Sequence, residues 1–503
     1  MAYMKDSTGR RLDNFIVPDR GLALFPGLVP VGSRSSWNGF NSLVATPSAR
    51  IQNLFSVSDV IARPARNLRL VFDGWNWDIG SLTEKDIPNA YTIRGGIKLA
   101  DGTVVPIFFN GARNGTVPVG GRLVSDAVPV QVNRGDVIAY RLITTVADTQ
   151  TVVGNGYINT IYSAAEGYEH GATVTDKTLQ SGNPVAVRPV PTLSLVPHVV
   201  LGEPLTSEPI VGIAASDSIA AGYTDDTIMA SDGGYLRRAL SGKFGFIRTA
   251  SPSDLATNYV DPQKSPRRRA IAAGCTSVIS QYGINDIKAG SRNLAQLQAA
   301  TLTNATHHKA QGAAFFICTL LPNTSSTTAW TDTAGQTVGT YESVRAAYNA
   351  WLRAGAPIVA GVAVAAGTQG AILAGNAAHP IKGVFDPAAQ VETGDGKWLP
   401  LGRSVNNAVT TAGSAAITSA TAAFTAADLG KQIIIPAAGA SGGYYVGYIQ
   451  TVDSATQVTT DRNATASLPG AIAGIGPATM DGLHPAGSGN ALAAMAIDTT
   501  KLV

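Results

Sequence analysis

Val211-Gly212-Ile213-Ala214-Ala215-Ser216-Asp217-Ser218-Ile219-Ala220-Ala221-Gly222 decides how this chain folds. Its first four residues are an unbroken apolar run, the mark of a short strand buried on both faces. A polar segment carrying Ser218 follows at once. The same texture repeats along the chain: Phe244-Gly245-Phe246-Ile247, Thr276-Ser277-Val278-Ile279 and Ala314-Phe315-Phe316-Ile317-Cys318 read as three more buried strands. Between the last two, Leu294, Leu297, Thr301 and Ala305 recur at helical spacing. Beyond the fourth, Tyr341, Val344, Tyr348 and Trp351 do the same, with Gly355 where a C-terminal cap belongs. Strands alternating with helices predict a parallel sheet with helices on both faces. Ligands of such sheets sit at the carboxyl ends of the strands, and Ser218 and Asn285 each lie just past one.

On either side the texture is β. From about 50 to 200, short runs such as Leu68-Arg69-Leu70-Val71-Phe72, Val128-Pro129-Val130-Gln131-Val132 and Val137-Ile138-Ala139-Tyr140-Arg141-Leu142 alternate with turn residues. Asp101-Gly102, Asn114-Gly115 and Arg134-Gly135-Asp136 are such turns. This spacing predicts an antiparallel β-sandwich over 41–200, preceded by an N-terminal arm over 1–40. The Pro-rich stretch from Arg188-Pro189-Val190-Pro191 through Pro204 to Pro209 reads as a linker or a final edge. Short β runs return over 402–476, among them Gln432-Ile433-Ile434-Ile435 and Tyr444-Tyr445-Val446-Gly447-Tyr448-Ile449. They predict a small β module inserted between the two parts of the α/β domain, 205–401 and 477–503, the latter ending in a helix near 490–497.

Composition bounds the partners. A chain of 503 residues exceeds one ordinary core, so two to four units are expected. Charged residues are 14%, against about 25% in typical domains. A net charge of +3, with no basic stripe interleaved with aromatics, excludes a nucleic-acid partner. The one dense basic run, Arg267-Arg268-Arg269, reads as a solvated loop or helix start. Cys275 and Cys318 sit in apolar runs, so buried free thiols are expected before a disulfide, and two cysteines cannot build a zinc site. No apolar stretch reaches about 18 unbroken residues, so no membrane insertion is expected. The first residues lack the basic-then-apolar layout of a secretion signal, which predicts a soluble chain that does not use signal-directed export.

Chemistry concentrates in three segments. Ser218 needs a base, since an alcohol proton is too tightly held at neutral pH. His484, in Asp481-Gly482-Leu483-His484-Pro485, can supply it, and Asp481 can hold the imidazole in one tautomer from the same turn. The Asn285 side chain, in Gly283-Ile284-Asn285-Asp286, and the Ser218 backbone N–H fit the role of oxyanion donors. Each alone has a plainer reading: a helix cap, turn chemistry, a structural His-Pro. In this order, and at strand ends, they predict a serine esterase.

These residues resemble the SGNH (GDSL-like) hydrolases. The family's first block, Gly-Asp-Ser-Ile-x-x-Gly, is similar to Ser216 through Gly222. Its third, Gly-x-Asn-Asp, matches Gly283 to Asp286, and its fifth, Asp-x-x-His-Pro, matches Asp481 to Pro485. The resemblance covers roughly 205–400 and 477–503 and implies a flavodoxin-like α/β/α domain and a serine esterase mechanism with no metal or cofactor. Two departures stand out. Ser216 replaces the first glycine, and the second block, where the family has a glycine whose N–H completes the oxyanion hole, reads Arg248-Thr249-Ala250-Ser251-Pro252-Ser253-Asp254. Ser253 is assigned to that position, because a backbone N–H exists whatever the side chain.

A second resemblance concerns setting. Met4-Lys5-Asp6-Ser7-Thr8-Gly9-Arg10-Arg11-Leu12-Asp13 looks like the start of bacteriophage tail-associated proteins, and the segment around Ser419 to Lys431 is similar to small β modules of phage tails. It implies a virion location, other tail proteins as partners and a homo-oligomer. A sandwich before an SGNH domain is also seen in carbohydrate esterases, so the expected reaction is removal of O-acetyl groups from a polysaccharide. Trp75, Trp77, Tyr444, Tyr445 and Tyr448 are candidate substrate contacts. For the tryptophans a buried core pair is the favoured reading, and for the tyrosines packing within the module is at least as good. A lipase or thioesterase of the same fold, or a glycan-binding adhesin without hydrolysis, are the alternatives.

Overall fold

Apolar runs bounded by turn residues become five parallel strands: β1 (Val211–Ser216), β2 (Phe246–Arg248), β3 (Ser277–Gln281), β4 (Ala314–Cys318) and β5 (Ile381–Phe385). In this computed structural model, residues 27–32, 41–45, 48, 51–155, 167–181, 197–222, 225, 233–439 and 442–503 are described. Most of the expected N-terminal arm, including 4–13, and the proline cluster at 188–191 lie outside them. The strand order is β2-β1-β3-β4-β5, every pair parallel. Every residue of β1, β2 and β3 is buried, the polar Ser216, Arg248, Ser277, Ser280 and Gln281 among them. The strand β5 escaped the sequence reading for a physical reason. It is an edge strand, and Lys382 and Gly383 leave only its two ends buried.

Eight helices accompany this sheet among the described residues: α1 (Tyr235–Leu240), α2 (Ala256–Tyr259), α3 (Pro266–Ala272), α4 (Ile284–Lys288), α5 (Leu294–Ala310), α6 (Glu342–Arg353), α7 (Ala388–Val391) and α8 (Gly487–Met495). They pack in two groups: α1 and α7 against α8, and α2, α4, α5 and α6 with one another. The predicted faces are the ones used. Leu297, Thr301 and Ala305 of α5 are buried, as are Tyr348 and Trp351 of α6. Asn293 and Gln296 close a capping box that starts α5. Gly355, at φ +84°, stands just past α6 in the left-handed conformation that a C-terminal cap requires.

Ahead of the α/β part, antiparallel strands form two sheets. One contains Ala65–Asp73, Arg122–Val124, Val128–Val132 and Val199–Pro204; the other contains Gln52–Val60, Tyr91–Lys98, Val137–Thr145 and Gly167–Gly171. A separate apolar core, with Phe55, Leu70, Phe72, Ile93, Tyr140 and Leu142, fills them. The Pro-rich stretch is neither linker nor edge at 199–204. That strand lies between Val29–Pro30 and Ala65–Asp73, and its prolines fall beyond or at the end of the ladder, where no N–H is needed. A two-stranded hairpin, Trp75–Asp78 with Thr83–Asp86, reaches from this region to α3.

The β segment before the histidine closes into a barrel of six strands: Arg403–Thr410, Ala416–Thr418, Gln432–Ile435, Tyr445–Ser454, Gln457–Thr460 and Leu468–Ile475. Closure removes the exposed edges that so short a sheet would otherwise present. Its entry and exit touch, since a Cβ on Gly402 (φ +75°) would overlap the Ile475 carbonyl. A module whose ends meet enters a host fold with little distortion.

Candidate active site

The strand β1 does not run straight into Ser218. Its register against β3 shifts between Ile213 and Ser216, and Ala215 sits at φ +50°, a bulge that redirects the chain as it leaves the sheet. Ser216 secures the exit. Its Oγ accepts from the Gln281 N–H (2.8 Å) and donates to the Ala214 carbonyl (3.1 Å), tying the ends of β1 and β3 together. A serine here therefore adds a stitch that glycine could not. Strand order reverses at β1 and β3, the place where doubly wound sheets open a crevice.

The Asp481–His484 turn folds around one carboxylate. Asp481 Oδ1 accepts from the N–H of Leu483 (2.9 Å) and of His484 (2.7 Å), while Oδ2 lies 2.7 Å from His484 Nδ1. With Nδ1–H donated to that carboxylate, Nε2 is left as the acceptor. Nε2 stands 2.9 Å from Ser218 Oγ. Burial works to raise the Asp481 carboxyl, but the bond and charge of His484 and the two N–H groups outweigh it and hold it below the usual carboxylate range. Ser218 and His484 are each 8% exposed, sheltered yet reachable.

Behind the turn stand residues that the motif does not name. The Gly482 carbonyl accepts from Trp398 Nε1 (2.8 Å) and Thr324 N–H (3.0 Å), and Trp330 Nε1 donates to Thr324 Oγ1 (2.9 Å). Gly482 adopts φ +81°, and a Cβ there would overlap the Thr324 carbonyl oxygen. Any other residue would push the turn, and with it His484, off its support. Both tryptophans were visible in the sequence, but nothing local ties them to residues about 80 to 150 positions away.

Three groups were expected from the sequence as oxyanion donors. Among the described residues, the N–H groups of Ser218 and Ser253 have no hydrogen-bond acceptor. Asn285, at the start of α4 past β3, donates one Nδ2 hydrogen to the Asp254 carbonyl (3.1 Å) and keeps a second. That bond ties Asn285 to the Ser253 loop. Ser253 is exposed and adopts φ +60°, a left-handed backbone that glycine takes up freely and a serine holds at a cost of about 1–2 kcal/mol. Gly283 adopts φ +136°, and a Cβ there would press on Leu297 and Leu320. Asp286 accepts from the Ala256 (2.9 Å) and Thr257 (3.3 Å) N–H groups and so fixes the start of α2.

Asp217, next to Ser218, is wholly buried. Burial first, then the charges of Asp286 and Asp254, push its carboxyl well above the usual range against one N–H bond from Ile219. A carboxyl raised above its unfolded value stabilises the fold fully below that value, and the contribution fades as pH climbs toward the folded value. Wild-type stability therefore falls, from this group, as pH rises above the usual carboxylate range. Asp217→Asn removes that dependence. In urea unfolding from about pH 5 upward the variant is expected to gain on wild type, and parallel curves would sink the assignment of a proton to Asp217.

The aromatic candidates divide. Trp75 (2% exposed) and Trp77 (4%) are buried at the contact with α3, so they are not stacking platforms; Arg267 and Arg268 lie over their rings at 5.3 and 4.0 Å. Tyr445 belongs to the barrel core, its hydroxyl bonded to Thr460 and the Arg462 carbonyl. Tyr448 is buried too, its hydroxyl reaching Gln432 and, at 3.4 Å, the Asp225 carbonyl across the barrel contact. Tyr444 alone is open, 38% exposed. Its ring centroid is 5.4 Å from that of Trp330, and burial together with the Asp481 charge raises its phenol. The basic run is also corrected: it does start a helix, but Arg268 is fully buried. Cys275 and Cys318 are buried and unbridged, and burial pushes both thiols up to about 12.

No family model matches the chain, and no curated protein matches it. Among solved structures, a family two carbohydrate esterase from Clostridium thermocellum in complex with cellohexaose aligns over 64% of this chain and 82% of its own, at 10% identity and a TM-score of 0.24. A family two carbohydrate esterase from Cellvibrio japonicus aligns over 64% and 83%, at 9% identity and 0.21. A peptidoglycan O-acetylesterase aligns over 73% and 76%, at 10% identity and 0.23. At such scores the functional reading rests on the site's own geometry.

Proposed function

We propose that the chain is a serine esterase that removes O-acetyl groups from a polysaccharide, with an SGNH-type, flavodoxin-like catalytic domain interrupted by the barrel. One observation carries the reading: Ser218 Oγ, His484 Nε2 and Asp481 Oδ2 are linked by contacts of 2.9 and 2.7 Å, at the end of β1 where the sheet order reverses. In the proposed reaction His484 Nε2 takes the Ser218 proton as Oγ adds to the acyl carbonyl carbon. The carbonyl oxygen becomes an oxyanion, held by the N–H groups of Ser218 and Ser253 and by Asn285 Nδ2. Collapse breaks the bond to the sugar oxygen, which receives the proton from His484. Water, deprotonated by the same nitrogen, then adds to the acyl-serine; the bond to Oγ breaks, His484 returns the proton to Oγ, and the carboxylic acid departs. Asp481 keeps Nδ1–H in place and steadies the imidazolium without taking its proton. Tyr444, exposed beside the Asp481 side of the site, is the proposed stacking face for a sugar ring.

Acetate release from an acetylated polysaccharide, with a short acetyl ester run against a long-chain ester, tests the assignment. Turnover of the short ester and of the polysaccharide is expected. Preference for the long chain would indicate a lipase, and binding without turnover of either ester an adhesin.

A further inference from the structure

The loop 252–254 carries Ser253, and it is held from outside the α/β domain. Trp77, on the hairpin of residues 75–86, donates its Nε1–H to the Pro252 carbonyl (3.1 Å). Glu84, on the facing strand, accepts the N–H of Arg267 and of Arg268, each at 2.8 Å, so a carboxylate from the hairpin caps the start of α3. Its own N–H donates to the Lys264 carbonyl (3.1 Å). These bonds set where Arg268 stands. From there Nη1 donates to Asp254 Oδ2 (2.8 Å), Nη2 donates to Ser265 Oγ, and the guanidinium carbon lies over the Trp77 ring, 4.0 Å from its centroid. Tyr282 donates to the same Asp254 oxygen, and the Asp254 carbonyl accepts from Asn285. Both neighbours of Ser253 are thereby pinned, and Ser253 alone carries the left-handed backbone.

We propose that the 75–86 hairpin is a positioning element of the oxyanion site, with Trp77, Glu84 and Arg268 fixing the loop that presents the Ser253 N–H. It rests on the esterase reading and extends it, because it makes the N-terminal sandwich part of catalysis rather than an appended module. The hairpin touches no reacting atom. Its effect is on geometry, where displacement of a donor by about 1 Å can cost a hundredfold in rate.

The test uses the full chain. Trp77→Phe keeps a ring over Arg268 and removes only the donor to Pro252, whereas Glu84→Gln keeps the volume and removes one acceptor. Active sites are titrated with a serine-reactive fluorophosphonate, and kcat and KM for a short acetyl ester are read per titrated site. A positioning role lowers kcat per site by about tenfold or more with KM within about twofold. A merely structural role lowers the number of titratable sites and leaves kcat per site unchanged, which overturns the proposal. Should one variant fail to fold, the other carries the same expectation. An inert wild type, or Ser218→Ala with retained activity, overturns the esterase reading instead. Active wild type, inert Ser218→Ala and unimpaired Trp77→Phe overturn the positioning role alone.

Discussion

Ser218→Ala is expected to lower turnover of a short acetyl ester by at least about 10^4-fold while leaving the unfolding transition unchanged. The hydroxyl is the only group that can form the acyl intermediate in the proposed reaction, and what survives its loss is attack by water assisted by the oxyanion donors. His484→Ala should cost about as much, because an unactivated serine is as inert as an absent one. The double variant should then cost no more than either single one, since the residues act as a unit. Steady-state kinetics at pH 7 on all three proteins decides the matter. A single-variant loss under tenfold would remove Ser218 as nucleophile, and additive losses would remove the coupling through the 2.9 Å contact.

The largest stability effect is expected at Arg268. Its side chain is wholly enclosed, bonded to Asp254, 3.6 Å from Glu84, and flanked by Trp77 and Tyr259. Arg268→Met preserves much of the apolar stem but strands two buried carboxyls. Burial already raises Glu84, and the Arg268 charge is the strongest influence opposing that shift. Breaking such a buried pair from one side costs about 3–5 kcal/mol. The exposed pair Arg66–Glu203 supplies the contrast, with Arg66→Met expected to cost under about 1 kcal/mol. Urea midpoints measured side by side separate the two, and equal, small losses would mean that Arg268 does not hold the sandwich to α3.

Much of the architecture was legible because burial writes itself into sequence period. Inner strands such as Ala314–Cys318 are apolar throughout, since helices or neighbouring layers cover both faces. Ile381–Phe385 carries a weaker signal, because Lys382 is exposed and only the strand's two ends are buried, and it was missed for that reason. The other edge strand, Phe246–Arg248, is buried throughout and was legible. For Trp75 and Trp77 the favoured reading, a buried core pair, is the one the structure has, and of the three tyrosines only Tyr444 is open. Trp75 and Trp77 alternate on a strand as a glycan platform would, but a period-two pattern says only that two rings share a face. Whether that face meets water or another domain is not a local property. The same limit misread Arg268. A run of three arginines looks solvated until a partner supplies Glu84 and Asp254 from 184 and 14 residues away.

By itself the sequence determined the strand–helix alternation, the inserted β segment, and the identity and order of Ser218, Asn285, Asp481 and His484. Each of these depends on residue type and on neighbours a few positions away. Only the tertiary structure decided that Ser218 and His484 meet across 266 residues, that the barrel closes with touching ends, and that the sandwich grips the Ser253 loop. Those outcomes are set by long-range packing, in which burying Arg268 and the two tryptophans together offsets the loss of water from each. No window of sequence contains both sides of such a contact.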